Sequence, residues 1–448
     1  MFKKFTNACV AVVQKYLPDP FLFAAILTFI VFLAGVFVTD QSPLAMIVHW
    51  GDGFWGLLAF SMQMALVLVT GHTLANAPII KKGLRKLASI PKTPMQAILA
   101  VTFVAIAACW INWGFGLVIG ALYARELARQ IKTVDYRLLI ASAYSGFVVW
   151  HSGISGSIPL KLATAGEGLA EATAGVVTNP IATSETIFSP YNLIIFGIIL
   201  LTMPFINRAM HPKPEDVVSV DPELLVDEDL SVEVENPTFA DKMENSSILS
   251  ILIGAMGLIF IVNYFINNGF DLNLNIVNFI FLFLGIILHG TPRKFLDAII
   301  IATRGTAGII LQFPFYAGIM GMMTGLSSSG SSLAIVISNG FVSISNETTF
   351  PFFSFLSAGV VNFFVPSGGG QWAVQAPIMM PASAELGVSA AKTGMSIAWG
   401  DAWTNLIQPF WALPALGIAG LGARDIMGYC IIDLIYTGVI ISLGLMFL

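Results

Sequence analysis

The stretch Ala398–Pro414, AWGDAWTNLIQPFWALP, decides the fold because it places polar residues and a proline inside an otherwise apolar run. Pro409 removes a backbone donor, and inside a membrane the backbone groups that it frees must be satisfied by protein or by a cavity. A carboxylate at that depth is disfavoured by ~2.5 kcal/mol or more unless it faces protein, water or an ion. Asp401 is therefore a candidate functional residue, and the plainer interpretation is a buried aspartate that only ties two helices together.

A second copy of this pattern lies in the first half of the chain. Residues 143–159 read AYSGFVVWHSGISGSIP, and a shift of 255 positions places Gly146 on Asp401. Upstream of each copy, an asparagine in an apolar run precedes a glycine-rich break: Asn112 in the first half and Asn362, 250 positions later, in the second. Two polar-interrupted elements in each half, in the same order, are typical of secondary transporters built from internal repeats.

The composition is that of a membrane protein with several spans. Hydrophobic residues make up 56% of the chain, charged residues make up 10%, and the mean hydropathy is +0.83. In soluble domains about a quarter of the residues are charged. The net charge of -5 arises from the segment 207–246, which holds 11 acidic and three basic residues, so the rest of the chain is slightly basic. Cys9, Cys109 and Cys430 lack metal-ligand spacing and predict no redox or metal role.

Loop charges predict the topology, since Lys and Arg concentrate on the cytoplasmic side of a membrane. An amphipathic segment over 1–19 is expected on the cytoplasmic surface, 20–38 crosses outward, and 54–74 returns to a basic cluster. Both ends of the segment 94–130 are basic as well. That pattern favours a re-entrant hairpin, with Asn112 at its tip, over two crossings of minimal length.

The rest of the chain continues the same organisation. Repeat 1 is predicted over 20–206 and contains an interrupted helix over 137–160. An acidic cytoplasmic linker over 207–246 and an extra transmembrane helix over 247–266 follow. Repeat 2 is predicted over 267–448, with a hairpin over 350–383 and an interrupted helix over 390–420. The extra helix starts repeat 2 from the opposite side, so the repeats are inverted. The predicted fold is all-α and polytopic, with roughly nine spans, two hairpins, a cytoplasmic N-terminus and an external C-terminus.

A small carboxylate is the predicted substrate of this arrangement. In an inverted repeat the hairpin tips and interrupted helices meet near the middle of the membrane, where helix N-termini carry a partial charge of about +0.5 e. An anion can therefore bind there without arginine. The residues predicted to bind it offer amides, hydroxyls or side-chain donors, and they are Asn112, Trp113, Gly114, His151, Ser152, Ser155, Ser157, Ser367, Gly368, Gly369, Gly370, Gln371, Thr404 and Gln408.

A coupled cation requires oxygen ligands, and Na+ suits side-chain and released backbone oxygens. The positions predicted to hold it are Asn112, Gly146, Asn362, Gly400, Asp401 and Asn405. A proton is the rival coupling ion, because Asp401 and His151 both titrate. No other cofactor is predicted, and the basic loops are topology signals rather than a nucleic-acid surface. Four tryptophans are predicted to wall the apolar part of the substrate: Trp150, Trp372, Trp399 and Trp403.

Five motifs spread over the whole chain carry a family resemblance: KYLPDPFLFA (15–24), NWGFGLVIGA (112–121), VWHSGISGSIPL (149–160), VPSGGGQWAVQ (365–375) and GDAWTNLIQPFWALP (400–414). They resemble the short-chain fatty acid transporter family, the acetoacetate and butyrate permease type within a wider ion-transporter superfamily. The resemblance implies a homodimeric carrier of short-chain monocarboxylates in the bacterial inner membrane, which moves its substrate by an elevator-type displacement. The superfamily's Ser-Asn-Thr hairpin signature is absent, since Trp113 and Gly114 follow Asn112.

Three other functions are weighed against this one. Another organic-anion or dicarboxylate carrier would share the same fold, and a passive anion channel would share the polar pore but would not explain the duplication. An intramembrane hydrolase would use His151 with a serine of the GISGS stretch. The nucleophile-elbow pattern G-x-S-x-G requires a glycine where Ser157 stands, and H-E-x-x-H does not occur, so no enzyme is predicted.

Overall fold

The computed structural model describes residues 20–56, 58–163, 169–170, 173, 175–225, 238–269, 274–363 and 368–448. Within these ranges all regular structure is helical and no strand occurs, which confirms the all-α prediction. The amphipathic segment predicted over 1–19 and the predicted substrate residue Ser367 lie outside the described residues.

Helices of the first half lead to the acidic segment. They are α1 Pro20–Val38, α2 Pro43–Gly53, α3 Leu58–Ala75, α4 Pro78–Ala88, α5 Pro94–Ile111, α6 Trp113–Gln130, α7 Tyr136–Ser145, α8 Ser157–Ala163 and α9 Pro190–Ala209. A 3-10 helix, Gly146–Ser152, continues α7 directly. Those of the second half are α10 Phe239–Glu244, α11 Ser247–Asn268, α12 Leu274–His289, α13 Pro292–Thr303, α14 Ala307–Thr324, α15 Leu333–Val342, α16 Phe350–Asn362, α17 Gly368–Glu385, α18 Ala390–Asn405, α19 Pro409–Ala419 and α20 Ala423–Phe447.

Several helices are long and apolar enough to cross a membrane. In the described part of the chain five units qualify: Pro94–Ile111, Tyr136–Ala163, Pro190–Ala209, Ser247–Asn268 and Ala423–Phe447. The bent pair Ser61–Ala75 and Pro78–Ala88 would add a sixth. Four shorter apolar helices coincide with other predicted spans or hairpin arms. The nine predicted crossings therefore exceed the five or six units that qualify by length and composition in the described part of the chain.

One asparagine separates the two helices of the first hairpin. Asn112 has extended backbone angles, φ -152° and ψ 120°, and this ends α5. Its side-chain oxygen accepts the Phe115 N–H at 2.9 Å, which caps the start of α6. The helices approach closely beside this break, because a Cβ on Gly116 would lie 2.4 Å from the Cys109 nitrogen. Asn112 thus ends one helix and begins the next.

Both interrupted helices break where the sequence places small or helix-breaking residues. In the first half the chain leaves the helix at Gly153, where a Cβ would lie 2.1 Å from the Trp110 carbonyl oxygen, and Ile154 N–H donates to that oxygen at 2.8 Å. In the second half α18 ends at Asn405, and Pro409 occupies the first turn of α19, where its missing N–H removes no intrahelical bond. The proline therefore starts a helix rather than kinking one.

In each half a glycine brings the interrupted helix against the first helix of the hairpin. A Cβ on Gly146 would lie 2.5 Å from the Ala105 carbonyl carbon on α5. A Cβ on Gly400 would lie 2.3 Å from the Phe355 carbonyl oxygen on α16. The structure thus places both of these predicted cation positions at tight helix–helix contacts.

The start of the acidic segment is bound to the helical body. Val218 N–H donates to the Asp135 carboxylate at 2.9 Å, and Tyr136 N–H donates to the Val218 carbonyl oxygen at 2.9 Å. Asp135 also caps α7 by accepting the Leu138 N–H at 2.9 Å. Residues 226–237 of the predicted linker lie outside the described residues. The described beginning of the segment is therefore fixed to the start of the first interrupted helix.

Candidate functional site

The two hairpins meet on one short piece of the first interrupted helix, residues 153–157. From the first hairpin, Trp113 N–H donates to Ser155 Oγ at 3.1 Å. From the second hairpin comes Gly368, the first residue of α17. A Cβ on Gly368 would lie 2.3 Å from Ser157 Oγ and 2.6 Å from His151 Cε1, so the backbone rests directly on these side chains. Residues predicted from opposite halves of the sequence thus lie together.

A buried histidine connects the two halves of the chain. His151 Nδ1 lies 2.7 Å from Asp401 Oδ2, and the two side chains are 0% and 1% exposed. On its other side His151 Nε2 lies 3.0 Å from both the Ile158 amide nitrogen and Ser157 Oγ. Because an amide can only donate, Nε2 is the acceptor, and a neutral imidazole carries its proton on Nδ1, towards Asp401. His151 thereby joins the start of α8 to the carboxylate of α18.

A polar cluster surrounds Asp401 in the second half. Asn362 Nδ2 lies 2.9 Å from the Asp401 carbonyl oxygen, 2.9 Å from Thr404 Oγ1 and 2.7 Å from Asn405 Oδ1. Gln408 Nε2 lies 3.3 Å from the Asn362 carbonyl oxygen. These contacts tie the end of α16 to the break between α18 and α19. The backbone carbonyls of Asp401 and Asn362 there accept from side-chain amides.

Four buried side-chain oxygens of this region have no hydrogen-bond partner among the described residues. They are Asp401 Oδ1, Asn362 Oδ1, Gln371 Oε1 and Gln408 Oε1. A buried acceptor left unpaired is unfavourable by about 1–3 kcal/mol. Carboxylate and amide oxygens are the ligands that a hard cation prefers, so these residues suit Na+. A transition-metal centre does not fit, because the described part of the chain holds no group of three or more His, Cys, Asp or Glu side chains.

An aromatic cluster lies beside His151. The Trp150 ring stacks on the His151 ring with centroids 4.1 Å apart and an angle of 13° between the planes. Trp113 lies 5.8 Å from Trp150 and 5.5 Å from Trp411, and Phe147 stacks on Trp150 at 5.6 Å. This cluster of Phe147, Trp113, Trp150 and Trp411 gives the polar site one apolar side.

Three tryptophans of the predicted wall take other positions. Trp399 Nε1 donates to Asn192 Oδ1 at 2.9 Å, and Trp403 Nε1 donates to the Leu434 carbonyl oxygen at 2.7 Å. Trp372 packs in a separate core beneath the second hairpin. Helical spacing decides this outcome, because residues four apart on α18 share one face, and there Trp399 reaches α9 and Trp403 reaches α20. Among the four predicted tryptophans, Trp150 stacks on His151.

The other predicted site residues are polar side chains that bind backbone carbonyls at the breaks, and glycines at helix starts or contacts. Ser152 Oγ donates to the Val149 carbonyl oxygen at 2.9 Å, and Gln371 Nε2 donates to the Ala358 carbonyl oxygen at 2.8 Å, so both brace the breaks. Gly369 and Gly370 form the first turn of α17. Gly114 lies against α3, since a Cβ on Gly71 would come within 3.2 Å of the Gly114 carbonyl carbon.

Two contributors were missed by the sequence analysis. Tyr144 OH donates to the Asn405 carbonyl oxygen, which links the two interrupted helices directly. Asn192 Nδ2 donates to the Ser152 carbonyl oxygen at 3.0 Å. Asn192 lies in the apolar run 190–206, and polar residues inside a membrane usually face protein or substrate. The same rule that marked Asp401 therefore also marks Asn192. Tyr144 gave no such signal, because tyrosine is common in apolar helices.

Comparison with known proteins identifies the family of the chain. Residues 1–448 match the family model described as short chain fatty acid transporter. A protein of Escherichia coli K12 that is described as a short-chain fatty acid transporter is 48% identical to this chain over 435 residues, which cover 97% of each chain. One of Haemophilus influenzae Rd is 47% identical over 454 aligned positions, which cover 100% of each chain.

Among solved structures, the YdaH transporter of Alcanivorax borkumensis, described as having an unusual topology, is similar with a TM-score of 0.48 and 16% identity. That similarity covers 95% of this chain and 98% of the other. The family model spans the whole chain, and both relatives align over nearly all of their length. The chain is therefore a multi-pass membrane protein and belongs to the short-chain fatty acid transporter family.

Proposed function

We propose that the chain is a secondary active transporter that carries a short-chain monocarboxylate, such as acetoacetate or butyrate, across the bacterial inner membrane together with Na+ or H+. One observation supports this most. Both hairpins and both interrupted helices contribute to a single buried polar site, in which His151 links Ser157 and Gly368 to Asp401. That arrangement suits alternating access better than a fixed pore, because every part of the site lies on an element with a break.

We place the carboxylate of the substrate beside residues 153–157. The helices α6 and α17 both begin there, and their N-terminal amides carry a partial positive charge of about +0.5 e. Ser155 and Ser157 supply hydroxyls at the same place. The short acyl chain would lie on Trp113 and Trp150, whose rings flank the polar groups. An anion is thus accommodated without a fixed cationic side chain, so its release stays easy.

Charge balance explains why the substrate would need a cation. Asp401 has one oxygen on His151 and one without a partner among the described residues. An ionised Asp401 and a carboxylate substrate would repel each other strongly in this buried, low-dielectric setting. A cation at Asp401 and Asn362 removes that repulsion, so each ligand raises the affinity for the other. The coupling of the two fluxes follows from this reciprocity.

The motion we propose is elevator-type, between two inverted repeats. The support for the repeats is the equivalent glycine contact in each half, Gly146 on α5 and Gly400 on α16. The hairpins and interrupted helices would move as one unit against the remaining helices, in which α2 packs on α14 and α3 packs on α12. A homodimer with cytoplasmic N-termini would hold those remaining helices still.

Uptake into proteoliposomes tests the function. Labelled butyrate or acetoacetate should accumulate when a Na+ gradient or a pH gradient is imposed, after subtraction of protein-free liposomes, since the undissociated acid crosses bilayers unaided. Uptake indifferent to both gradients rejects coupling, and uptake without saturation or counterflow indicates a channel. Stronger competition by a dicarboxylate than by butyrate would favour another organic-anion carrier of the superfamily.

A hydrolase is the second candidate, because Ser157, His151 and Asp401 touch in the order of a catalytic triad. The Ile158 N–H opposes it, since this amide also donates to His151 Nε2 at 3.0 Å and engages the lone pair that a general base would need. We expect no labelling by a serine-reactive fluorophosphonate. Labelling that disappears in Ser157→Ala but persists in Ser152→Ala would instead favour hydrolysis.

A further inference from the structure

A second buried aspartate lies outside the proposed transport site. Asp433 is 0% exposed and stands on α20, ten residues after its first residue Ala423. At 1.5 Å per residue it lies about 15 Å along a helix that crosses a hydrocarbon core of ~30 Å. None of the ion pairs in the described part of the chain includes Asp433. A lone ionised carboxylate at that depth is strongly disfavoured.

The amide of Asn207 connects Asp433 to the first half of the chain. One end of this amide lies 2.7 Å and 3.3 Å from the two carboxyl oxygens of Asp433. The other end lies 3.1 Å from Thr102 Oγ1 on α5 and 3.0 Å from Ser145 Oγ on α7. Since Asn207 is on α9, the network joins α20 to the first hairpin and to the first interrupted helix.

The two hydroxyls allow either end of the amide to face Asp433. Thr102 Oγ1 lies 2.8 Å from the Ile98 carbonyl oxygen, and Ser145 Oγ lies 2.9 Å from the Ser142 carbonyl oxygen. Each hydroxyl has a single hydrogen, which it can donate either to its backbone carbonyl or to the oxygen of Asn207. An ionised Asp433 accepts from the NH2 group of Asn207, and the amide oxygen then accepts from both hydroxyls. A protonated Asp433 donates to the amide oxygen instead, and the NH2 group then faces the two hydroxyls.

We propose that Asp433 is a proton-binding residue and that it takes the proton which the transporter couples to its substrate. The coupling role rests on the proposed function. Loss of the proton requires the amide of Asn207 to turn round, and both hydroxyls must then leave their backbone carbonyls to donate to the amide oxygen. The proton on α20 thereby controls contacts on α5, the helix of the first hairpin that precedes Trp113, and on α7, which the 3-10 helix with His151 continues.

No ion pair in the described part of the chain neutralises Asp433. The titratable groups on α20 and on the helices that contact it are Arg424, Asp425, Tyr429, Cys430 and Tyr436 on α20, Tyr136, Arg137 and Tyr144 on α7, Tyr191 and Arg208 on α9, and Lys392 and Asp401 on α18, with Cys109 on α5, the helix of Thr102. Neither α16 nor α19 carries such a group. Proton exchange at Asp433 therefore changes the net charge of this buried network.

The test uses Asp433→Asn in the full-length protein reconstituted in lipid. The carboxamide has the shape of the protonated acid and donates to Asn207 in the same way, so the variant should fold while it cannot release a proton. Infrared difference spectra of the wild type should show the C=O band of a protonated carboxyl group that disappears at alkaline pH. The band should be missing in Asp433→Asn and present in Asp425→Asn, the same change of residue type in the first turn of α20.

Transport measured on the same samples completes the test. Accumulation driven by a pH gradient should be lost in Asp433→Asn, while exchange of labelled for unlabelled butyrate should persist. A wild-type band that survives the substitution, or driven accumulation equal to that of the wild type, would overturn the inference. Should no sample exchange butyrate, the proposed function fails, and the infrared band alone decides about Asp433. If Asp433→Asn does not fold, Thr102→Val should shift the band, and an unshifted band would also overturn the inference.

Discussion

Replacing Gly368 by alanine should separate the second hairpin from His151. The added Cβ would lie 2.3 Å from Ser157 Oγ and 2.6 Å from His151 Cε1. Ser157 can rotate away, but the His151 ring is held by Asp401 on one nitrogen and by the Ile158 N–H on the other. Reaching an ordinary contact of 3.4 Å therefore requires the start of α17 to retreat by about 0.8 Å.

Overpacking of this kind typically destabilises the packed conformation by ~1–3 kcal/mol. Since a factor of ten corresponds to ~1.4 kcal/mol, substrate affinity should fall between about fivefold and about 150-fold. The assay is the concentration dependence of labelled butyrate uptake into proteoliposomes, with protein-free liposomes subtracted. The matched control is Gly417→Ala on α19, where an added Cβ meets nothing within 4 Å. Wild-type affinity in Gly368→Ala would refute the contact between the hairpin and His151 as a determinant of the site.

Three further substitutions have expected effects on ion dependence or on thermal unfolding. Asp401→Asn keeps the size of the side chain but removes its charge, so uptake should lose its dependence on the coupling ion, and unchanged ion dependence in replacement assays would remove Asp401 from the mechanism. Gly146→Ala places a Cβ 2.5 Å from the Ala105 backbone, so the midpoint of thermal unfolding should drop by the equivalent of ~1–3 kcal/mol. Gly197→Ala, which meets open space, should leave that midpoint unchanged or slightly raised.

Local sequence rules explain where two of the helices begin. Asn112 is a natural helix cap, and Pro409 sits where a new helix begins, so both interruptions follow from the chemistry of single residues. Between the first two predicted spans lies α2, because Ser42 and Pro43 provide a helix start there. Ser42 accepts the Ala45 N–H at 3.1 Å, a cap that is readable from the sequence alone.

Contacts between distant segments could not be predicted in the same way. Residues 151 and 401 are 250 positions apart, and no local rule states that an imidazole and a carboxylate will meet. The repeat offset marks Asp401 and Gly146 as equivalent positions, and equivalence does not predict a contact: the partner of Asp401 is His151, five residues beyond Gly146.

The two buried aspartates show why position inside the membrane is not enough to assign a role. Asp401 faces a histidine that presents a hydrogen, and its second oxygen has no partner among the described residues, so an ionised carboxylate with an added cation satisfies the site. Asp433 faces the amide of Asn207, which can turn either end towards the carboxyl group because the two hydroxyls behind it can accept or donate, so that network accommodates the carboxyl with its proton or without it. The same residue type at similar burial is thus proposed to hold a cation in one place and a proton in the other, because a histidine flanks the first carboxylate and a reversible amide flanks the second.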